Sequence, residues 1–178
     1  SEPSEAIRSL ALIQRRDELL HRVENYRFRD WKDIKHDPDV FNGRLLHNRV
    51  GYTTGDQLPM LQGLRTEPWL GALENELLDK IPDEGITRTE LFSQYPRGKE
   101  NQHIQKSLKR ALGNLERQLV VAKQFLDMPN RRRSVAIFRR VHGVIEAMPF
   151  PQALSALIRK IGPVRLHTLR FFVSRPVE

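Results

Sequence analysis

RGKENQHIQKSLKRALGNLERQLVVAKQFLDMPNRRRSVAIFRR, residues 97–140, decides the fold. It begins with an amphipathic segment. Ile104, Leu108, Ala111, Leu112, Leu115 and Leu119 recur at three- and four-residue spacing, so a helix over 102–118 gathers them on one face. His103, Lys106, Arg110, Asn114 and Arg117 fall on the other side. Val120, Val121 and Phe125 then predict a strand, and Val135, Ile137 and Phe138 a second one. Between them, residues 127–133 (DMPNRRR) form an exposed tip. The stretch holds twelve Lys and Arg against Glu100, Glu116 and Asp127, a net of +9, whereas the whole chain carries +8. The remainder is therefore close to neutral, and the charge is concentrated on a helix and a hairpin. That is the electrostatic footprint of a nucleic-acid-binding module.

Two helical segments precede the basic helix. The first is predicted from Pro68, a residue suited to a first helical position, with Leu70, Leu73, Leu77, Leu78 and Ile81 as its stripe. After the turn Pro82-Asp83-Glu84-Gly85, Thr87-Arg88-Thr89-Glu90 reads as a capping box. It opens a short helix carrying Leu91, Phe92 and Tyr95, which Pro96 ends. Three helices followed by a β-hairpin are the winged-helix arrangement. In it the third helix enters a major groove and the wing lies along the backbone or the minor groove.

The expected fold class is α+β, mainly helical, a winged helix-turn-helix in tandem. Three units are expected. Residues 1–66 form an N-terminal helical unit, read as a degenerate first winged helix. It has helices from Glu5 and over 28–35, a turn at Asn42-Gly43, strand character from Arg44 to Tyr52 and a wing near Gly43 to Gly55. Residues 67–146 are the central winged helix. Residues 147–178 form a C-terminal extension, with a helix starting at Pro151 and stopped by Gly162-Pro163, then a strand.

A hydrophobic share of 39% and a charged share of 29% fit an ordinary soluble chain, with enough length at 178 residues to bury a real core. No apolar run approaches a bilayer-spanning length, so no membrane partner is expected. The absence of cysteine excludes disulfides, thiolate chemistry and Cys-type zinc sites, and fits an intracellular protein of cytoplasm, nucleoid or nucleus. The six histidines are scattered with no pair at ligand spacing on one helix face, so no metal is expected. No glycine-rich phosphate loop is present, and no cofactor is expected.

A charged helix face is ordinarily just solvated, and winged helices also serve as protein–protein modules. Against the bland reading stands the tip. Arg131, Arg132 and Arg133 repel one another unless an anion neutralises them. The candidate nucleic-acid contacts are Lys99, His103, Lys106, Lys109, Arg110, Asn114, Arg117, Arg131, Arg132 and Arg133. The expected partner is nucleic acid, foremost double-stranded DNA, with room for protein partners in a larger assembly.

Several short segments resemble the winged-helix DNA glycosylases of the AlkZ/YcaQ type, which remove alkylated or crosslinked bases. They are Leu12-Ile13-Gln14, His21, Arg44-Leu45-Leu46-His47, Leu61-Gln62-Gly63-Leu64-Arg65, Lys109-Arg110-Ala111-Leu112 and Leu119-Val120-Val121-Ala122. That family uses a Gln, followed two positions later by Asp or Gln, to activate water at the damaged nucleotide. The resemblance thus implies Gln14 and Asp17 as catalytic candidates. Arg16 stands where the acceptor is expected, and Asp17 lies one residue out of register. The family also carries a further C-terminal domain beyond the span of this sequence. The central unit is similar, too, to B-block-binding winged helices of the RNA polymerase III machinery, through Gly85-Ile86-Thr87-Arg88-Thr89-Glu90-Leu91. Two functions of different class follow. One is a non-catalytic, regulatory DNA-binding protein. The other is a base-excision enzyme that flips a nucleotide into a pocket.

Overall fold

The structure, a computed structural model, describes residues 12–14, 40–46, 49–127, 134–161, 169 and 173. In chain order its elements are β1 (Leu12–Gln14), β2 (Val40–Leu46), β3 (Arg49–Thr54), α1 (Leu58–Gly63), α2 (Ala72–Asp79), β4 (Ile86–Thr87), α3 (Arg88–Ser93), α4 (Gln102–Arg117), β5 (Val121–Leu126), β6 (Val135–Arg140) and α5 (Phe150–Ile161). The class is α+β. The six strands form one sheet in the order β1-β3-β2-β5-β6-β4, and every paired neighbour is antiparallel.

Period-two alternation along β5 explains how one sheet serves two cores. Val121 joins a cluster with Leu77, Ile81, Leu91, Phe92, Leu108, Leu112, Leu115 and Phe138. Its neighbour Ala122 joins the opposite cluster, with Leu58, Met60, Leu61, Leu64, Val141, Ala153 and Leu157. The first cluster packs α2, α3 and α4 on one part of the sheet. The second packs α1 and α5 against residues from all three sequence units.

The capping box forms as expected. The Glu90 N–H donates to Thr87 Oγ1 at 3.1 Å, and the Thr87 N–H donates to Glu90 Oε2 at 3.0 Å. Gly85 precedes it at φ +89°, and a Cβ there would run into Ile137 and Arg139, so the turn requires glycine.

Three expectations are corrected. The helix expected from Pro68 begins at Ala72 instead. The Trp69 N–H donates to Gln118 Oε1 at 2.7 Å, and Gln118 Nε2 donates to the Trp69 carbonyl at 3.0 Å. The second of these bonds takes up the carbonyl that a helix at Pro68 would offer to residue 73, whereas the Trp69 N–H would be unpaired in such a first turn anyway. Asn42-Gly43 is not a turn but lies inside β2, and the pairing register with β3 shifts between Gly43 and Leu46. Leu12–Gln14, read within an N-terminal helix, is a strand whose Gln14 pairs with Gly51. The helix expected over 28–35, Asp17 and the 131–133 tip lie outside the described residues.

Candidate nucleic-acid interface

The site is built on α4. Leu108, Ala111, Leu112 and Leu115 are buried and fix its roll against the sheet, so the opposite face must point outward. At 3.6 residues per turn, His103, Lys106, Arg110, Asn114 and Arg117 share one sector of that outward side, and Lys109 stands at its edge. His103, Lys106, Lys109, Arg110 and Arg117 are exposed, as is Lys99 in the short 3₁₀ turn leading into the helix.

Two acidic residues of this region are paired away from the outer face of α4, while Glu74 meets that face at Asn114 and Glu100 stands exposed beside Lys99. Glu116, on the inner flank of α4, pairs with Lys123 at 3.2 Å. Asp83 pairs with Arg140 at 2.6 Å. Among the described residues, Lys99, Lys106, Lys109 and Arg110 carry no ion pair. Within the described residues, the charges of Lys106, Lys109 and Arg110 on the outer side of α4 therefore meet no carboxylate at ion-pair distance.

Two of the expected contacts are drawn into the fold. Asn114 Nδ2 donates to Glu74 Oε1 at 2.9 Å, tying α4 to α2. Arg117 bends back along its own helix, donating from Nε to the Gly113 carbonyl at 3.2 Å and from Nη2 to Asn114 Oδ1 at 2.6 Å. The end of α4 is closed from beneath. Arg65 is buried, and it donates to the Arg117 carbonyl at 3.1 Å and the Arg44 carbonyl at 3.2 Å. Burial pulls its guanidinium down to about 10, which leaves it cationic at neutral pH.

Beyond Arg117 the helix ends in a Schellman pattern. The Val120 N–H reaches the Leu115 carbonyl at 2.9 Å, and the Leu119 N–H reaches the Glu116 carbonyl at 3.1 Å. Leu119 holds the left-handed position at φ 55°, where glycine is the rule, yet its side chain is buried. This sharp stop ends α4 directly before β5.

Sequence reasoning missed two features beside the helix end. One is a cleft of about 260 Å³ lined by Gln62, Arg65, Thr66, Pro68, Gln118 and His142, among others. The other is Trp69, which is 81% exposed. The sequence signal was faint: an unpatterned Trp just after a proline. As for the catalytic candidates, β1 sets Gln14 on the edge strand farthest from β4. No helix among the described residues is long and apolar enough to cross a membrane.

No family model matches the chain, and no curated protein matches it. Among solved structures it is similar to the Streptomyces sahachiroi DNA glycosylase AlkZ, with a TM-score of 0.51 and 14% identity. The likeness covers 90% of this chain and 51% of that one, so the chain spans about half the length of the structure it matches. At that identity what is shared is the fold: this chain has an α+β architecture similar to that of a DNA glycosylase.

Proposed function

We propose that the protein binds double-stranded DNA through a winged-helix unit spanning 67–146. The outer face of α4 is the groove-facing element, and the Arg131–Arg133 tip is a backbone clamp. The observation that carries this reading is the row Lys99, Lys106, Lys109 and Arg110, exposed and without ion pairs among the described residues. Lys106 and Arg110 sit one helical turn apart at the centre of the outward face, where they reach base edges. The protein acts inside the cell, as a binding and regulatory module on its own or within a larger assembly. Replacing Arg131, Arg132 and Arg133 together by Ala weakens duplex binding and flattens its salt dependence by up to about three phosphate contacts. An unchanged salt slope would remove the tip from the interface.

The likeness to a DNA glycosylase supports a second reading, base excision on alkylated or crosslinked DNA, with Gln14 and Asp17 positioning water. Incubation with alkylated duplex followed by alkaline treatment separates the two. Strand breaks that vanish in Gln14→Ala establish the enzyme; intact strands with retained binding leave the binding module.

A further inference from the structure

We infer that Trp69 is a stacking platform for an unpaired nucleobase, set at the end of the cationic face of α4. The inference rests on the DNA-binding reading and adds to it a preference for disrupted duplex. Four observations converge on it.

Trp69 is 81% exposed, so its indole contributes little apolar burial to the fold. Its backbone is nonetheless held on both sides: the N–H donates to Gln118 Oε1 at 2.7 Å, and the carbonyl accepts from Gln118 Nε2 at 3.0 Å. An exposed aromatic on a pinned backbone loses little freedom on binding, which is what a stacking surface requires. The clamp residue, Gln118, directly follows Arg117, so the ring stands where the basic face ends. Its chain neighbour Pro68 and its clamp Gln118 both line the 260 Å³ cleft, together with Glu67 and Arg65, so an opening lies next to the segment that carries the ring.

Charge selects the occupant. An aromatic at the end of a helix whose Lys106, Lys109 and Arg110 have no ion pair among the described residues complements a polyanion carrying flat rings, and every base has a face on which to stack. A base inside intact duplex is already stacked on its neighbours. The gain is therefore specific to a base that is bulged, looped or single-stranded.

The test uses the 178-residue chain with two fluorescent probes: an intact duplex and the same duplex carrying one bulged base. Backbone charge is nearly equal in the two, so the ratio of their affinities isolates stacking. The native protein is expected to favour the bulged probe by about ten- to hundredfold. Trp69→Ala brings the ratio close to one with the melting midpoint unchanged, and Trp69→Phe restores most of the preference. A native ratio near one, a ratio unaltered in Trp69→Ala, or a lowered melting midpoint in that variant overturns the inference. The double variant Lys106→Glu, Arg110→Glu serves as the reference. If it leaves both affinities unchanged, the α4 interface itself fails; if it weakens both while Trp69→Ala alters neither, only the stacking platform fails.

Discussion

Gly113 lies in the interior of α4, half-buried, with Arg110 before it and Asn114 after it. A Cβ at that position would meet only Arg117 Nη2, at 3.9 Å, an ordinary contact. Glycine in a helix interior costs about 1 kcal/mol relative to alanine, chiefly in backbone entropy. Gly113→Ala is therefore expected to stabilise the fold by about that amount, read as a melting midpoint raised by about 2–4 °C. A fall in the midpoint would mean that α4 packs against something in that space. Arg65 makes the opposite case. It is buried and donates to two backbone carbonyls, one at the end of α4 and one in β2. Truncation to Ala removes both bonds and leaves a void, at a cost of about 2–4 kcal/mol, measurable by chemical denaturation. A loss below about half a kcal/mol, the range of an ordinary surface change, would show that water replaces the guanidinium without penalty.

At the scale of elements, α4 does two jobs with two faces. The inner face is a close-packed stripe, and Leu108 and Leu115 are both fully buried. Leu108→Ala is expected to cost about 2–5 kcal/mol, the transfer free energy plus the cavity it leaves, as seen in a shifted denaturation midpoint. The helix itself was legible in the sequence because its apolar period is regular and its opposite face is polar and rich in Lys and Arg. The Thr87–Glu90 box was legible for a similar reason: capping is a local exchange of two hydrogen bonds, written in four residues. The start of α2 was not legible. Pro68 suits a first helical turn, but its neighbour's backbone is captured by Gln118, 49 residues away, and no local pattern encodes that partner. Leu119 is a parallel case. The left-handed stop calls for glycine, and leucine occupies it because burial of the side chain offsets strain of about 1–2 kcal/mol.

The described residues are joined by one sheet. Strand β2 pairs with β5 through Asn42 and Lys123, so hairpin β2–β3 and hairpin β5–β6 belong to one six-stranded surface. The core beneath it draws Leu58 and Leu61 from before residue 67, Leu119 and Val141 from the central stretch, and Ala153 and Leu157 from α5. The pairing of β2 with β5 was not legible, because contact between distant strands leaves almost no trace in a single sequence. A shared core predicts one cooperative unfolding transition, with calorimetric and van't Hoff enthalpies equal. Two resolved transitions would mean that the units fold separately. The basic face of the molecule was visible from charge counting alone; the cleft and Trp69 beside it arise only when α1, the end of α4 and the segment before α5 come together.

The most direct measurement is the salt dependence of duplex affinity for the native chain and for the double variant Lys99→Ala, Lys109→Ala, which removes the two exposed lysines flanking the base-facing pair. Each phosphate neutralised contributes about −0.9 to the slope of log K against log salt. A steep native slope is expected, made shallower by roughly two phosphate contacts in the variant, with the melting midpoint preserved. Identical slopes in the two proteins would contradict DNA recognition by the outer face of α4.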